Sequence, residues 1–494
     1  MSVGQDKRNL FLLFLIVIAA FVLRFYNLGS IPPGIHGDEG EFGLFLNKIL
    51  QGRYQSLFTI VDPGIFSFPV ISFIPQIIIK GFFENSVVGI RAYSVIFGTM
   101  TVLAFFFLAR LFFDKKISLL LSFFLATSSF HIHYSRLAVN NIYPPFFAVL
   151  SIYFFLRAWD TGRTIFYLIC GLVMGVGLYS YHPFKIIPLV ILFFIVIKRR
   201  NILKGLLLFI TTALVFLPQI IYYFGNLGSL TSRPQTILSL KVSFFFDNLS
   251  KNILVFFIGK DDGYHMYGIQ QFGLLSPLVA TLFIIGILLA LRYLRSDKWQ
   301  LIYLAIITTI IAVSFTVSSP ASHRLLVILP MIFILVGVSL ELVQKFLKGV
   351  LLCTIFIFLG LFSAFSDYYI YFDYYINSND GWAQYEPATE IAKYLKSLGP
   401  SYYTYMLREG TILYFRHGTV QFLNPGIRGE DVDDSLEVIP LRTMSIGNTV
   451  FVMPPNSPSL DKLKKLYPNG TVRNFVNPRS KESWFSSFEL RTEP

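Results

Sequence analysis

The sequence predicts an α-helical polytopic membrane protein that ends in a small α/β domain. Hydrophobic residues make up 54% of the 494-residue chain, charged residues make up only 14%, and the mean hydropathy is +0.62. Soluble globular proteins contain about 25% charged residues, so this composition excludes that class. Long apolar runs recur to about residue 371 and then stop. The chain therefore divides into a membrane domain, residues 1–372, and a carboxyl-terminal domain, residues 373–494.

The first predicted span, residues 10–28, has about the length of apolar sequence that crosses a hydrocarbon core. It ends in Arg24-Phe25-Tyr26 and not at a small-residue cleavage site, so we interpret it as a retained span and not as a signal peptide. Ten further runs give about eleven predicted spans. They are residues 10–28, 91–110, 116–133, 140–157, 164–181, 183–198, 204–224, 272–292, 299–317, 322–344 and 349–371.

Residues 67–82 decide the predicted topology, because they are apolar but short and are interrupted by Pro69 and Pro75. If they cross the membrane, the basic loops between the later spans all fall outside, against the positive-inside rule. If they lie flat or re-enter, every one of those loops falls inside. We therefore predict an interfacial or re-entrant segment in a multi-pass protein of the cell membrane, with a cytoplasmic amino terminus and an extracytoplasmic carboxyl-terminal domain. The net charge of +13 then reflects topology, and no nucleic-acid partner is predicted.

Beyond residue 373, helical patterns alternate with strand-like runs. Residues 388–398 and 460–466 have helical spacing, whereas residues 402–406 and 449–453 have the composition of strands. This alternation predicts an α/β domain. We expect the domain to bind an acceptor or to cover the outer face of the membrane domain.

The segment His36-Gly37-Asp38-Glu39-Gly40-Glu41 is the strongest candidate for chemistry. Apolar residues at helical spacing follow it, so the acids occupy the first turn of an amphipathic helix at the membrane interface. Asp38 and Glu41 have the spacing of a capping box, and the helix dipole favours acids there. A cap does not explain Glu39 or His36, so we predict an additional functional role.

Three other polar groups lie on the same predicted side of the membrane. They are residues 131–136 with Asn140-Asn141, residues 260–265, and His323-Arg324. A guanidinium such as that of Arg136 can hold a phosphate through paired hydrogen bonds, although extension of the side chain to the interface explains its position equally well. The pair His131 and His133 permits a divalent metal ion but does not require one. Residues 179–182 and Lys185 reach this side as well.

Several loose motifs occur in a specific order over about residues 10–345. They are Leu23-Arg24-Phe25, Asp38-Glu39, Gly89-Ile90-Arg91, residues 130–136, residues 171–181, Gly259-Lys260-Asp261-Asp262, Leu275-Ser276-Pro277-Leu278, and His323-Arg324-Leu325-Leu326 followed by Pro330. This order resembles that of the GT-C class of integral membrane glycosyltransferases. Within the class, it resembles the branch of the protein O-mannosyltransferases and the lipid A aminoarabinose transferases.

The resemblance implies transfer of a sugar from a polyprenyl-phosphate-linked donor to a lipid, glycan or protein acceptor. Asp38 matches the catalytic aspartate and Glu39 its neighbour. Asp38 would remove the acceptor's proton as the acceptor oxygen attacks the anomeric carbon, and the configuration would invert. Cations and donors would stabilise the departing phosphate. The side chains assigned to the donor phosphate or sugar are His36, His133, Arg136, Asp262, His265 and Arg324.

A transporter or flippase of lipid-linked sugars is the main alternative. Transporters usually place polar sites near the bilayer midplane and often consist of repeated halves. In this sequence the middles of the predicted spans carry almost no charge and no repeat is detectable, so chemistry at the membrane surface is favoured. A third alternative, a binding module on a membrane scaffold, gives no reason for three clustered acids.

Overall fold

The computed structural model describes residues 3–62, 65–84, 86–238, 241–259, 271–317, 319–378, 386–409, 413–432 and 447–491. The chain divides into two compact units. Unit 1 comprises Met1–Gly29 and Ile49–Ile376, and unit 2 comprises Ser30–Lys48 and Asn377–Pro494. The acidic segment therefore folds with the carboxyl-terminal domain, although in sequence it lies between membrane helices.

Unit 1 is almost entirely helical. With α2 (Gly37–Leu50) assigned mainly to unit 2, its helices are α1 (Val3–Phe25), α3 (Ile74–Lys80), α4 (Ser86–Ala109), α5 (Lys115–Thr127), α6 (Ser129–Tyr134), α7 (Tyr143–Thr161), α8 (Thr164–Gly177), α9 (Ile186–Lys198), α10 (Ile202–Gly225), α11 (Leu227–Ile237), α12 (Val242–Leu254), α13 (Pro277–Ala290), α14 (Asp297–Ser314), α15 (Ser322–Leu325), α16 (Leu329–Phe346) and α17 (Gly349–Tyr368). Each of the eleven predicted spans overlaps at least one of these helices.

Within the described residues, seven helical segments are long and apolar enough to cross a membrane. They are Lys7–Phe25, Ser86–Ala109, Asn140–Thr161, Ile202–Gly225, Asp297–Ser314, Ser322–Phe346 and Gly349–Tyr375. The four other predicted spans correspond to α5, α8, α9 and α13, which have only 13 or 14 residues each. A multi-pass helical membrane protein is confirmed, and the number of eleven crossings stays a prediction.

The segment 67–82 does not form one long helix. Strand β2 (Phe68–Pro69) pairs antiparallel with β1 (Ile60–Val61), and a 3₁₀ turn and α3 follow it. The helical stretch Val70–Lys80 is at most about 20 Å long, whereas the hydrocarbon core is about 30 Å thick. This length favours an interfacial or re-entrant segment, and its depth in the bilayer stays a prediction.

Helix α16 is the centre of unit 1. Every residue from Leu329 to Leu340 is buried, and α5 and α13 pack against this helix. Gly286 of α13 permits the close approach, because a Cβ atom there would overlap the backbone carbonyl of Leu335. By contrast, α10 and α17 expose large apolar side chains such as Leu214 and Phe365, as helices in contact with lipid do. Lipid contact explains why the sequence is so hydrophobic.

Unit 2 contains a five-stranded mixed sheet. Its elements after α2 are α18 (Glu386–Leu398), β3 (Tyr403–Leu407), α19 (Gly418–Leu423), β4 (Arg428–Val432), β5 (Thr449–Met453), α20 (Pro458–Leu466), β6 (Thr471–Val476) and β7 (Ser483–Leu490). The strand order is β4-β3-β5-β7-β6. Strand β3 is parallel to β4 and β5, whereas β7 is antiparallel to β5 and β6. The predicted α/β domain is confirmed.

Both faces of the central strands are covered. Met406, Val450 and Val452 belong to one apolar cluster, and Tyr405 and Phe451 belong to another. Successive strand residues point to opposite faces, so this alternation places one cluster on each side of the sheet. Strands buried on both faces read as continuous apolar runs, which is why 402–406 and 449–453 were recognisable in the sequence.

Candidate active site

Helix α2 begins with a capping box made by His36 and Glu39. His36 is the N-cap residue, since its carbonyl accepts the first helical hydrogen bond, from the Gly40 amide at 3.0 Å. Glu39 Oε2 accepts the backbone N–H of His36 at 3.1 Å, and His36 Nδ1 accepts the backbone N–H of Asp38 at 2.9 Å. Each side chain thus satisfies an amide that the helix leaves without a partner. The sequence spacing suggested Asp38 and Glu41 for this box. In the structure the box consists of His36 and Glu39.

This cap separates the roles of the two acids that the sequence singled out. The Glu39 side chain is fully buried and binds the start of α2. The Asp38 side chain is 32% exposed, and its Oδ2 lies 3.8 Å from His36 Nδ1. Because His36 Nδ1 already accepts the Asp38 amide hydrogen, the imidazole is neutral and its own hydrogen is on Nε2. Asp38 therefore presents a partly exposed carboxyl group at a helix amino terminus.

The rest of unit 2 holds the segment that leads into α2. The Ile35 amide donates to Thr389 Oγ1 at 2.9 Å, and Thr419 Oγ1 donates to the Ile35 carbonyl at 2.8 Å. Gly40 lies directly against the backbone of α19, where any Cβ atom would overlap Gly418. These contacts fix the position of Asp38 relative to the sheet domain.

A second histidine, His417, lies in the same part of unit 2. Its ring stacks edge-on against Tyr414 at 5.4 Å between centroids, and it interacts electrostatically with His36 and Asp38. Burial and the neighbouring His36 lower the pKa of His417 to about 4. Burial likewise lowers the pKa of His36, although the carboxyl groups of Asp38 and Glu39 oppose the shift. Burial and the charges of Glu41 and Asp38 raise the pKa of Tyr414. The two imidazoles and the Tyr414 hydroxyl group near Asp38 are therefore neutral at neutral pH.

The lowered pKa of His417 predicts acid sensitivity of unit 2. The unfolded chain protonates this imidazole near pH 6.5, and the folded chain does so only near pH 4. The histidine therefore contributes stability that is fully present above pH 6.5 and is lost as the pH falls to 4, by about 3 kcal/mol. We expect His417→Gln to flatten the decrease in unfolding free energy between pH 7 and pH 4, measured by denaturant titration of the full chain. Equal decreases for the variant and the parent protein would contradict the assignment.

Arg136, which the sequence analysis assigned to the donor phosphate, binds the carboxyl end of α1 in the structure. Its guanidinium is buried and donates to the carbonyls of Leu23, Arg24 and Tyr26 at 2.8, 2.9 and 2.6 Å. These are carbonyls at the carboxyl end of α1, where helical partners run out. A cation there also interacts favourably with the helix dipole. The contacts explain Arg136 as a cap of α1, and its predicted binding of phosphate gains no support.

The two histidines of α6 are also enclosed by protein. His131 Nδ1 lies 2.8 Å from a guanidinium nitrogen of Arg24. The guanidinium donates, so His131 Nδ1 accepts this hydrogen bond. The His133 ring packs edge-on against Tyr134 and Tyr375, at 4.9 and 5.3 Å between centroids. Among the residues that the structure describes, no three His, Cys, Asp or Glu side chains lie close enough together to hold a metal ion. A role for a divalent metal stays untested.

The remaining sequence candidates divide into two cases. Arg324 lies in the short helix α15 and is partly buried; its side chain makes no hydrogen bond or ion pair within the described parts of the chain. Asp262 and His265 lie outside the described residues. The sequence analysis did not identify His417, because no local motif surrounds it. His417 lies some 380 residues from the acidic segment in the sequence, and only folding brings the two together.

The fold is that of the GT-C class of integral membrane glycosyltransferases, as the order of motifs predicted. Residues 64–223 match the family model described as dolichyl-phosphate-mannose-protein mannosyltransferase. No curated protein sequence matches the chain.

Solved structures of this class share the fold at low sequence identity. The chain is similar to ArnT from Cupriavidus metallidurans in the apo state, with a TM-score of 0.62, 14% identity and coverage of 99% of this chain and 98% of that chain. The same protein bound to undecaprenyl phosphate gives a TM-score of 0.58 at the same identity and coverage. The archaeal oligosaccharyltransferase AglB from Archaeoglobus fulgidus, in complex with an inhibitory peptide and a dolichol-phosphate, gives a TM-score of 0.57 and 14% identity, with coverage of 91% of this chain and 70% of that chain.

Proposed function

We propose that the protein transfers a sugar from a polyprenyl-phosphate-linked donor to an acceptor on the outer side of the membrane, with inversion and with Asp38 as general base. The observation that carries the proposal is the partly exposed Asp38 carboxyl group, which the capping box of α2 does not use. The fold supports the reaction class, and structures of two proteins with this fold contain a polyprenyl phosphate. The acceptor is a lipid, a glycan or a protein.

The proposed reaction is one displacement at the anomeric carbon. The acceptor hydroxyl oxygen forms a bond to this carbon while Asp38 takes the hydroxyl proton. The bond from the anomeric carbon to the phosphate oxygen breaks, and its electron pair leaves with the polyprenyl phosphate. Because attack and departure occur on opposite faces, the configuration inverts. Glu39 contributes by fixing the first turn of α2, and no step requires a metal ion.

The departing phosphate requires positive charge, and Arg324 is our candidate from the sequence. A guanidinium can donate two parallel hydrogen bonds to phosphate oxygens. No carboxylate in the described residues neutralises Arg324, which supports this role. Preorganised donors of this kind commonly contribute several kcal/mol to stabilisation of a transition state.

The test compares lipid-linked sugars and envelope glycans in cells with and without the protein by mass spectrometry. We expect one glycan or glycolipid to lose a single sugar in the cells that lack the protein, and the matching polyprenyl-phosphate sugar to accumulate. Unchanged glycans, together with transport of the intact lipid-linked sugar by the purified protein, would identify a flippase and overturn the proposal.

The proposed topology gives a separate prediction. A reporter fused after residue 87 is expected to lie outside the cell, and a reporter fused after residue 112, beyond α4, is expected inside. The reason is the positive-inside rule applied with residues 67–82 lying flat. Reporter activity at the two positions checks this directly, and the reverse pair of signals would invert the proposed orientation.

A further inference from the structure

One edge of unit 1 is strongly basic and has no role in the assignments above. This basic edge consists of residues 157–164, around the α7–α8 turn, and residues 198–204, around the α9–α10 turn. Helix α8 packs against both α7 and α10, and the ammonium group of Lys204 donates to the Gly162 carbonyl at 2.6 Å, which joins the two turns. Helices α7 and α10 belong to segments long and apolar enough to cross a membrane. The basic edge therefore lies where these segments leave the hydrocarbon core.

The charges of the basic edge do not balance. Its two stretches contain one acid, Asp160, and six basic residues, which are Arg157, Arg163, Lys198, Arg199, Arg200 and Lys204. Asp297 of α14 neutralises Lys198, with 2.6 Å between Oδ1 and Nζ. Within the described residues, none of the four arginines forms an ion pair with a carboxylate. Helices α8 and α10 also begin here, and the positive ends of their dipoles add to the charge. The edge therefore attracts anions.

Aromatic rings orient two of these arginines. The Arg157 guanidinium lies over the Phe166 ring, at 5.4 Å from its centroid, and the Arg200 guanidinium lies over the Trp159 ring at the same distance. Arg200 also interacts electrostatically with Tyr167, the residue that follows Phe166, so both arginines adjoin the start of α8. A ring below a planar guanidinium leaves the in-plane N–H donors available. Within the described parts of the chain neither guanidinium donates a hydrogen bond to a protein acceptor.

Exposed apolar side chains adjoin these cations. Leu203 is 82% exposed and Ile165 is 54% exposed. Leu203 follows Arg200 by three residues and Ile165 follows Arg163 by two, so each lies within about 5 Å of a cation along the helix axis. Positive charge beside exposed apolar surface matches a molecule that has a phosphate group and acyl chains. A free phosphate would gain nothing from the apolar side chains, so the neighbouring surface favours a phospholipid.

We propose that the basic edge binds the head group of an anionic phospholipid through the guanidinium groups of Arg157 and Arg200, with the acyl chains against Ile165 and Leu203. A guanidinium can donate two parallel hydrogen bonds to phosphate oxygens, and basic pockets between membrane helices on the cytoplasmic side bind anionic lipids. The predicted topology gives the edge this side. The lipid takes no part in sugar transfer, so the proposal does not rest on the proposed function. Because the lipid contacts both turns of the folded protein, its binding raises the unfolding temperature.

Titration of phosphatidylglycerol onto the purified full-length protein in detergent, followed by native mass spectrometry, tests the site without any catalytic turnover. We expect phosphatidylglycerol to bind about tenfold or more tightly than zwitterionic phosphatidylcholine, and Arg157→Gln/Arg200→Gln to remove this preference. Arg200→Gln alone changes an exposed side chain and should weaken binding about threefold, so the test does not depend on the folding of the double variant. Lys116→Gln/Lys348→Gln is the matched control. It removes two charges from exposed residues elsewhere on the same predicted side and should bind like the parent protein.

The outcomes separate a lipid site from a general effect of positive charge. An unchanged preference for phosphatidylglycerol in both arginine variants would overturn the site. An equal loss in the Lys116→Gln/Lys348→Gln control would assign the attraction to the total charge of this side and would overturn the site as well. Water-soluble glycerol phosphate that competes at the same concentration as the lipid would overturn the phospholipid as the occupant. Loss of binding in the arginine variants alone, together with a rise in unfolding temperature that phosphatidylglycerol gives only to the parent and control proteins, would support the proposal.

Discussion

Replacement of Asp38 by asparagine is expected to lower the rate of sugar transfer by about 10²- to 10⁴-fold, because the amide cannot accept the acceptor's proton. The substitution preserves the size of the side chain. It also leaves the start of α2 intact, since His36 and Glu39 make the capping box there. The protein should therefore insert, fold and bind its donor as before. Transfer from a purified polyprenyl-phosphate sugar, measured under single-turnover conditions, checks the expectation.

The neighbouring acids supply matched controls for this experiment. Glu39→Gln keeps an oxygen that can accept the His36 amide, and glutamine is an accepted partner in a capping box, so we expect a loss much smaller than that of Asp38→Asn. Glu41→Gln removes a charge from the same helical turn and should also be nearly neutral. Normal turnover by Asp38→Asn would refute the general-base assignment, and a collapse of activity in Glu39→Gln alone would transfer the catalytic role to that residue.

The kinetic form of the defect carries further information. A general base acts in the transition state, so its loss should lower kcat and kcat/KM by similar factors and leave KM nearly unchanged. Loss of a donor-binding cation such as Arg324 should raise KM for the donor as well. Comparison of the two variants therefore separates proton transfer from phosphate recognition.

Much of the fold was predictable because its signals are local. An apolar run of about 20 residues, such as 322–344, indicates a membrane helix without knowledge of its neighbours, and α15 and α16 occupy this range. Continuous apolar runs also predicted β3 and β5, since both strands are buried on two faces. Helix α5 shows the limit of this approach. The apolar composition of residues 116–133 predicts a helix but does not show that it ends at Thr127.

The site was less predictable because its contacts are not local. Nothing in the sequence near Ile35 indicates that Thr389 and Thr419 bind its backbone, and nothing near His417 indicates its proximity to His36. A shift of two residues at the helix start decides whether Glu39 or Glu41 makes the cap. A buried arginine is equally ambiguous, because the same guanidinium geometry suits a phosphate and a row of helix carbonyls. Arg136 binds such a row, and its binding of a phosphate stays a prediction.

Replacement of Arg24 by methionine is expected to destabilise unit 1 by about 3–5 kcal/mol, because it removes several hydrogen bonds that a buried charged donor makes to buried acceptors. Arg24 is fully buried in α1. It donates to the Ala126 and Leu125 carbonyls at the end of α5, at 2.8 and 3.3 Å, and to Ser135 Oγ at 3.1 Å. Methionine fills a similar volume but donates nothing, so these acceptors would remain buried without a partner. Thermal unfolding in nanodiscs measures the loss.

Arg163→Met is the matched control, because Arg163 is exposed before α8 and its loss should change stability by no more than about 0.5 kcal/mol. Arg136 and Arg24 serve one junction: Arg24 binds the end of α5, and Arg136 binds the end of α1, including the carbonyl of Arg24 itself. We therefore expect the double variant Arg24→Met/Arg136→Met to lose less stability than the sum of the two single variants. Strict additivity would show that the two guanidinium groups act independently and would refute a shared junction.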